Sequence, residues 1–194
     1  SSYSIISGGR GNQTNNAYNT ISGGFLNTTS GSYATIVGGE NNTVSQSRSF
    51  IGGGNNNNVS AINATIAGGQ SNTVSGYKGT VGGGDANRVS GSRGTISGGF
   101  GATNTGNFST ISGGYRNQIY DCMSTVGGGR NNIANSQYVA IGGGYNNSAG
   151  ATGDYSTISG GYGNDSNCIY GSVGGGFCNT VSGDFATISG GRQN

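Results

Sequence analysis

The chain has no histidine, proline or tryptophan, and only 7% of its 194 residues are charged. Without histidine there is no Ser-His or Cys-His pair to activate a nucleophile. The six acids, Glu40, Asp85, Asp121, Asp154, Asp165 and Asp184, are scattered through the chain. They offer neither a clustered pair for acid–base catalysis nor the carboxylate column of a calcium roll. A non-enzymatic protein without metal or cofactor is therefore expected. A net charge of +2 gives no reason to expect a nucleic-acid partner. No apolar run is long enough to span a bilayer, so direct membrane insertion is not expected. Hydrophobic residues make up 30%, against roughly 45–50% in ordinary domains, so a broad core is excluded. Disorder fits poorly, because disordered chains are usually rich in charge and proline, and this one instead has 11 tyrosines and 6 phenylalanines.

What the chain does have is a repeat. An aliphatic residue stands before a Gly-Gly pair at Ile6, Ile21, Ile36, Ile51, Ile66, Val81, Ile96, Ile111, Val126, Ile141, Ile158, Val173 and Ile188. Every step is 15 residues except the 17 from Ile141 to Ile158, where "SAGATGD" (148–154) holds the surplus. A fixed short period signals a solenoid. The array fills 1–194 as one unit and starts and stops in mid-pattern without atypical end repeats. That reads as a segment of a longer fibre.

With the aliphatic position called n, the other columns follow. Position n−1 is Thr in nine units, n−2 is small, and n−3 is mostly Tyr or Phe. Large–small–Thr–Ile–Ser alternates with period two, which predicts a strand from n−3 to n+1 with the aliphatic and small residues inward. Gly-Gly supplies a corner. A weaker strand is expected around n+8, which is Val44, Val59, Val74, Val89, Ile119 and Val181 in six units. Ser-Gly, as in Ser75-Gly76, makes the return corner. The predicted fold is all-β: a parallel β-solenoid of 15-residue coils and thirteen rungs, about 4.8 Å apart, with a surface loop at Ala149 to Gly153.

Position n+6 is Asn in twelve of thirteen units, with Ala102 the exception. Asn42, Asn57, Asn72 and Asn87 typify a structural amide ladder in which each side chain bonds its neighbours above and below. The Gly-Gly-Gly runs lack the Gly-Lys-Ser/Thr of a phosphate loop, so their glycines read as structural. Cys122, Cys168 and Cys178 fall in different columns, which predicts three free thiols rather than a disulfide scaffold or a zinc site. Sequons stand at Asn12, Asn27, Asn58, Asn63, Asn107, Asn146 and Asn164.

A short aliphatic strand ending in glycine, followed by an Asn-rich turn, as in "YSTISGGYGN" (155–164) and "NTVSGDFATISGG" (179–191), resembles the YadA-type head repeats of trimeric autotransporter adhesins. Similar repeats occur in phage and large-virus surface fibres. The resemblance implies a left-handed β-roll, a homotrimer, an extracellular place on a cell or virion surface, and adhesion to a host glycan or matrix protein. One departure is that this chain has two or three glycines where the adhesin motif has one.

The column at n−3 offers a candidate glycan-binding strip: Tyr18, Tyr33, Arg48, Lys78, Arg93 and Phe108. Lys78 and Arg93 fall on adjacent rungs, where like charges repel, so folding alone gives no reason for them. An acidic glycan would, with the flanking rings stacking on sugar faces. The alternative function is ice binding by the outward Thr-x-Ser row of "TIS". That row is ragged, because n+1 is Ser in only six units.

Overall fold

The computed structural model describes residues 3–194. Its secondary structure is all-β, with no helix among the described residues. The chain divides into two compact units, Ser1–Gly99 and Phe100–Asn194. Each is a parallel β-solenoid in which one coil makes one two-residue strand in each of two sheets. The first sheet takes n−1 and n, as in Thr20–Ile21 and Thr35–Ile36. The second takes n+7 and n+8, as in Thr28–Thr29 and Thr43–Val44. Seven first-sheet strands lie in the first unit and six in the second. Like residues pair with like: Ile21 registers with Ile36, and Val44 with Val59.

The core is two apolar lines. In the first unit Ile21, Ile36, Ile51, Ile66, Val81 and Ile96 are wholly buried beside Val44, Val59, Val74 and Val89. Full burial of such a side chain stabilises by about 1.5–3 kcal/mol, and the repeat supplies two per coil. In the second unit Ile111, Val126, Ile141, Ile158 and Val173 continue the pattern opposite Ile119, Ala134, Ala149 and Val181. Some n+8 positions are polar. Thr29 is fully buried and its hydroxyl has no partner.

The strands are shorter than the alternation predicts. Position n−3 lies in a turn, with φ of 62° at Tyr18, 59° at Tyr33, 58° at Arg48 and 56° at Lys78. Non-glycine residues rarely enter this left-handed region, which costs about 1–2 kcal/mol. A hydrogen-bond reversal offsets the strain. Strand N–H groups donate to the following rung, as Thr20 N does to Ala34 O, whereas the n−3 N–H donates to the preceding one, as Arg48 N does to Ser32 O at 3.0 Å. Position n+5 makes the same reversed turn, with φ of 55° at Leu26 and Asn41, and Leu26 N donates back to Arg10 O. Each coil thus has two equivalent corners.

Glycine at n+3 is required twice over. At Gly69 φ is +91°, and a methyl group would overlap the Gly84 carbonyl oxygen of the next rung. Gly68 at n+2 faces open space.

The two surplus residues enter as a turn at 151–152. Ala149 is not part of that loop. It occupies n+8 in the strand Ser148–Ala149 and is fully buried, because strand alternation points it inward. Gly153 is buried and donates to Gly150 O at 2.9 Å. Register resumes with Ala140 opposite Thr157.

Candidate binding surface

The asparagine column is interior. Asn42, Asn57, Asn72 and Asn87 are all buried. Asn72 Nδ2 donates to Gly68 O in its own coil at 3.2 Å and to Gly84 O in the next at 2.8 Å. Its Oδ1 accepts the Asn87 N–H at 3.0 Å. The ladder therefore runs mainly from amide to backbone, a correction to the amide-to-amide bonding expected above. Direct amide contacts occur at some steps, such as Asn57 Nδ2 to Asn42 Oδ1 at 3.1 Å. The physical reason is the Gly-Gly corner: the Gly68 carbonyl at n+2 receives no backbone N–H and takes the amide instead, whereas Gly84 O already accepts the Gln70 N–H. Position n−2 plays the same part at the opposite corner. Ser49 Oγ donates to Ala61 O at 2.7 Å and accepts the Ala64 N–H at 3.2 Å. The sequence reading took n−2 as merely small.

With the interior committed, any binding chemistry belongs to the outward columns. Among the described residues no pocket opens and no group of His, Cys, Asp or Glu is placed to hold a metal. In the first unit Tyr18, Tyr33, Arg48, Lys78 and Arg93 all project from n−3 corners and are exposed. Tyr18 and Tyr33 stack at 4.8 Å with planes 4° apart, so each turns one face to the other. Their edges and hydroxyls line the strip, and the shared faces are not open to a sugar. Lys78 Nζ lies 5.2 Å from the Tyr77 ring centroid and the Arg93 guanidinium 5.7 Å from it. The aromatic quadrupole attracts both cations, so folding does give a reason for this pair. Phe108 belongs to the second unit, where it is exposed at its own n−3 corner.

A second outward column, n+4, was missed. In the first unit it is mostly polar, with Glu40, Asn55, Gln70 and Asp85 on successive rungs. In the second it is a π ladder. Phe100 stacks on Tyr115 at 5.1 Å; Arg130 lies 5.1 Å from Tyr115 and 5.4 Å from Tyr145; Tyr162 stacks on Phe177 at 4.9 Å; and Arg192 lies 5.2 Å from Phe177. No consensus letter marks this column, and only folding the sequence at its period reveals it. The second unit also stacks Tyr138, Tyr155, Tyr170 and Phe185 at n−3, with centroids 4.7, 4.8 and 5.1 Å apart. Desolvation within that stack pushes the Tyr155 phenol up, helped by Tyr138, Tyr170 and Asp154.

All three cysteines are free. Burial, reinforced by Asp121, pushes the Cys122 thiol up, and burial does the same at Cys168. The protonated thiol is thereby favoured over the reactive thiolate. Asp154 and Asp184 are turn braces: their carboxylates accept the backbone N–H groups of Gln137 and Ile169 on the preceding rung. Of the sequons, Asn27 and Asn164 are buried in the ladder, and Asn58, Asn107 and Asn146 are exposed. Compared with models of known families and with curated proteins, the chain matches none.

Proposed function

We propose that this chain is a non-enzymatic structural and adhesive segment of an extracellular fibre on a cell or virion surface. It assembles as a homotrimer and contacts a host glycan or matrix protein through its outward columns. The observation that carries this reading is the division of labour within each coil. Positions n, n+3, n+6 and n+8 are committed to folding, whereas n−3 and n+4 face outward at the corners, where aromatic, cationic and polar residues alternate with one another. Such a surface offers a repeating linear array in place of a cleft, which suits an extended partner held by many weak contacts.

The strip at Arg48, Lys78 and Arg93 is the segment suited to an acidic glycan, with the cations as anchors and the Tyr18 and Tyr33 hydroxyl edges as hydrogen-bonding neighbours. A glycan array with the triple change Arg48→Ser, Lys78→Ser, Arg93→Ser tests it. The expected result is binding of acidic glycans by the parent and its loss in the variant. Absent binding in the parent, or equal binding in the variant, overturns the adhesive reading of the strip. Light scattering should report three chains, and a stable monomer would remove the trimer. Ice binding has less support, because exposed Phe50 and Val37 interrupt the hydroxyl row.

A further inference from the structure

Eight of the eleven tyrosines have another tyrosine as a ring neighbour on an adjacent rung. The closest run lies in the second unit, where Tyr138 and Tyr155 are 4.7 Å apart with planes 4° apart, and Tyr155 and Tyr170 are 4.8 Å apart with planes 14° apart. Stacking alone would be served equally by phenylalanine, as it is at Phe185. Folding makes no visible use of the hydroxyls, because the structure shows no protein hydrogen bond to the Tyr138, Tyr155 or Tyr170 phenol. The three residues are 41%, 44% and 48% exposed. They stand at n−3, where φ is 57°, 61° and 58°, a conformation in which Asn or Gly would be less strained. Asn63 shows that the position accepts Asn.

From this placement we propose that the Tyr138–Tyr155–Tyr170 ladder is a site of oxidative cross-linking, where carbon–carbon bonds join tyrosine rings on successive rungs. The co-reactants are a peroxide and a haem peroxidase, supplied from outside the chain. Each of two neighbouring tyrosines gives up one electron and its phenolic proton, leaving a phenoxyl radical with spin on the ring carbons beside the oxygen. Two such carbons couple. Each then releases its hydrogen, which restores both phenols. Two C–H bonds are exchanged for one C–C bond, and the two electrons and two protons reduce one peroxide to two waters.

Three features favour this outcome over competing oxidations. The partner ring already lies within 5 Å, so coupling is intramolecular and has the advantage of a high effective concentration. There is no tryptophan to draw off the radical. Desolvation also favours the protonated thiol, the less readily oxidised form, at Cys122 and Cys168. The product is a covalent staple between rungs that are otherwise joined by hydrogen bonds, apolar packing and ring stacking.

The test treats the dilute full chain with hydrogen peroxide and a haem peroxidase, then reads dityrosine fluorescence, intact mass and peptide maps. The expected result is single chains lacking two hydrogens per link, with Tyr155 joined to Tyr138 or Tyr170. Rung-neighbour links should exceed those of the urea-unfolded chain by about tenfold. Tyr155→Phe keeps the stack but should abolish both links, whereas Tyr138→Phe should leave the link between Tyr155 and Tyr170. Links equally frequent in the unfolded chain, links only between chains, or oxidation confined to Cys and Met would overturn the proposal.

Discussion

The two units share one coil skeleton and differ in what they show to solvent. Gly69 and Gly144 have φ of +91° and +90°, and each would direct a methyl group at the carbonyl of the glycine one rung on. Asn72 and Asn147 make the same bonds to backbone on two rungs. On the outside, n+4 runs Arg10, Phe25, Glu40, Asn55, Gln70, Asp85 in the first unit, with a single ring, and Phe100, Tyr115, Arg130, Tyr145, Tyr162, Phe177, Arg192 in the second, with five. The lesson is that a thin solenoid fixes its interior, because every rung must fit the one below. Its corners remain free, because a side chain there needs to agree only with its outward neighbours and not with the core.

That comparison can be broken or sharpened by mutation. The largest effect is expected at the shared corner. Gly69→Ala and Gly144→Ala should each destabilise on the order of 4 kcal/mol, from left-handed strain plus collision with backbone. Gly68→Ala, with open space around it, should stay within about 1 kcal/mol. Urea denaturation of the three variants checks this, and a tolerant Gly144 would show that the units do not share a skeleton. Next comes the ladder: Asn72→Ala and Asn147→Ala take the donor from the Gly68 and Gly143 carbonyls and the acceptor from the Asn87 and Asn164 N–H groups, while the Gly84 and Gly161 carbonyls keep the backbone N–H of Gln70 and Tyr145. The cost is about 1–3 kcal/mol each. An unchanged melting temperature would mean that water replaces the amide. The smallest effect separates the units. Arg130→Ala removes contacts with two rings and should lower stability by about 1 kcal/mol, while Gln70→Ala in the same column should change nothing measurable. Equal effects would mean that the π ladder adds no stability.

The period, the all-β class, the two strands per coil and the inward aliphatic lines were all legible in the letters, because each depends on a residue that recurs every 15 positions. The position of the extra turn was legible too, although Ala149 had to be reassigned to the core. Three things were not legible. Tyr18 and Arg48 looked like strand residues because alternation cannot distinguish an extended residue from a left-handed one. The asparagine ladder looked like amide upon amide, because the inward Gly carbonyls that it serves have no letter of their own. The Lys78–Arg93 pair looked unexplained in the letters because the ring that attracts both cations, Tyr77, belongs to a different column.

The sequence by itself determined the repeat and therefore the register, since a one-residue slip would turn Ile and Val out of the core. Only the tertiary structure decided how outward neighbours meet, as stacked rings within a column or as cations over a ring of another. Coiling brings residues 15 or 17 apart to within about 5 Å of one another, and so makes a continuous surface of Tyr138, Tyr155 and Tyr170, or of Tyr115, Arg130 and Tyr145. In the linear chain these residues have no contact at all.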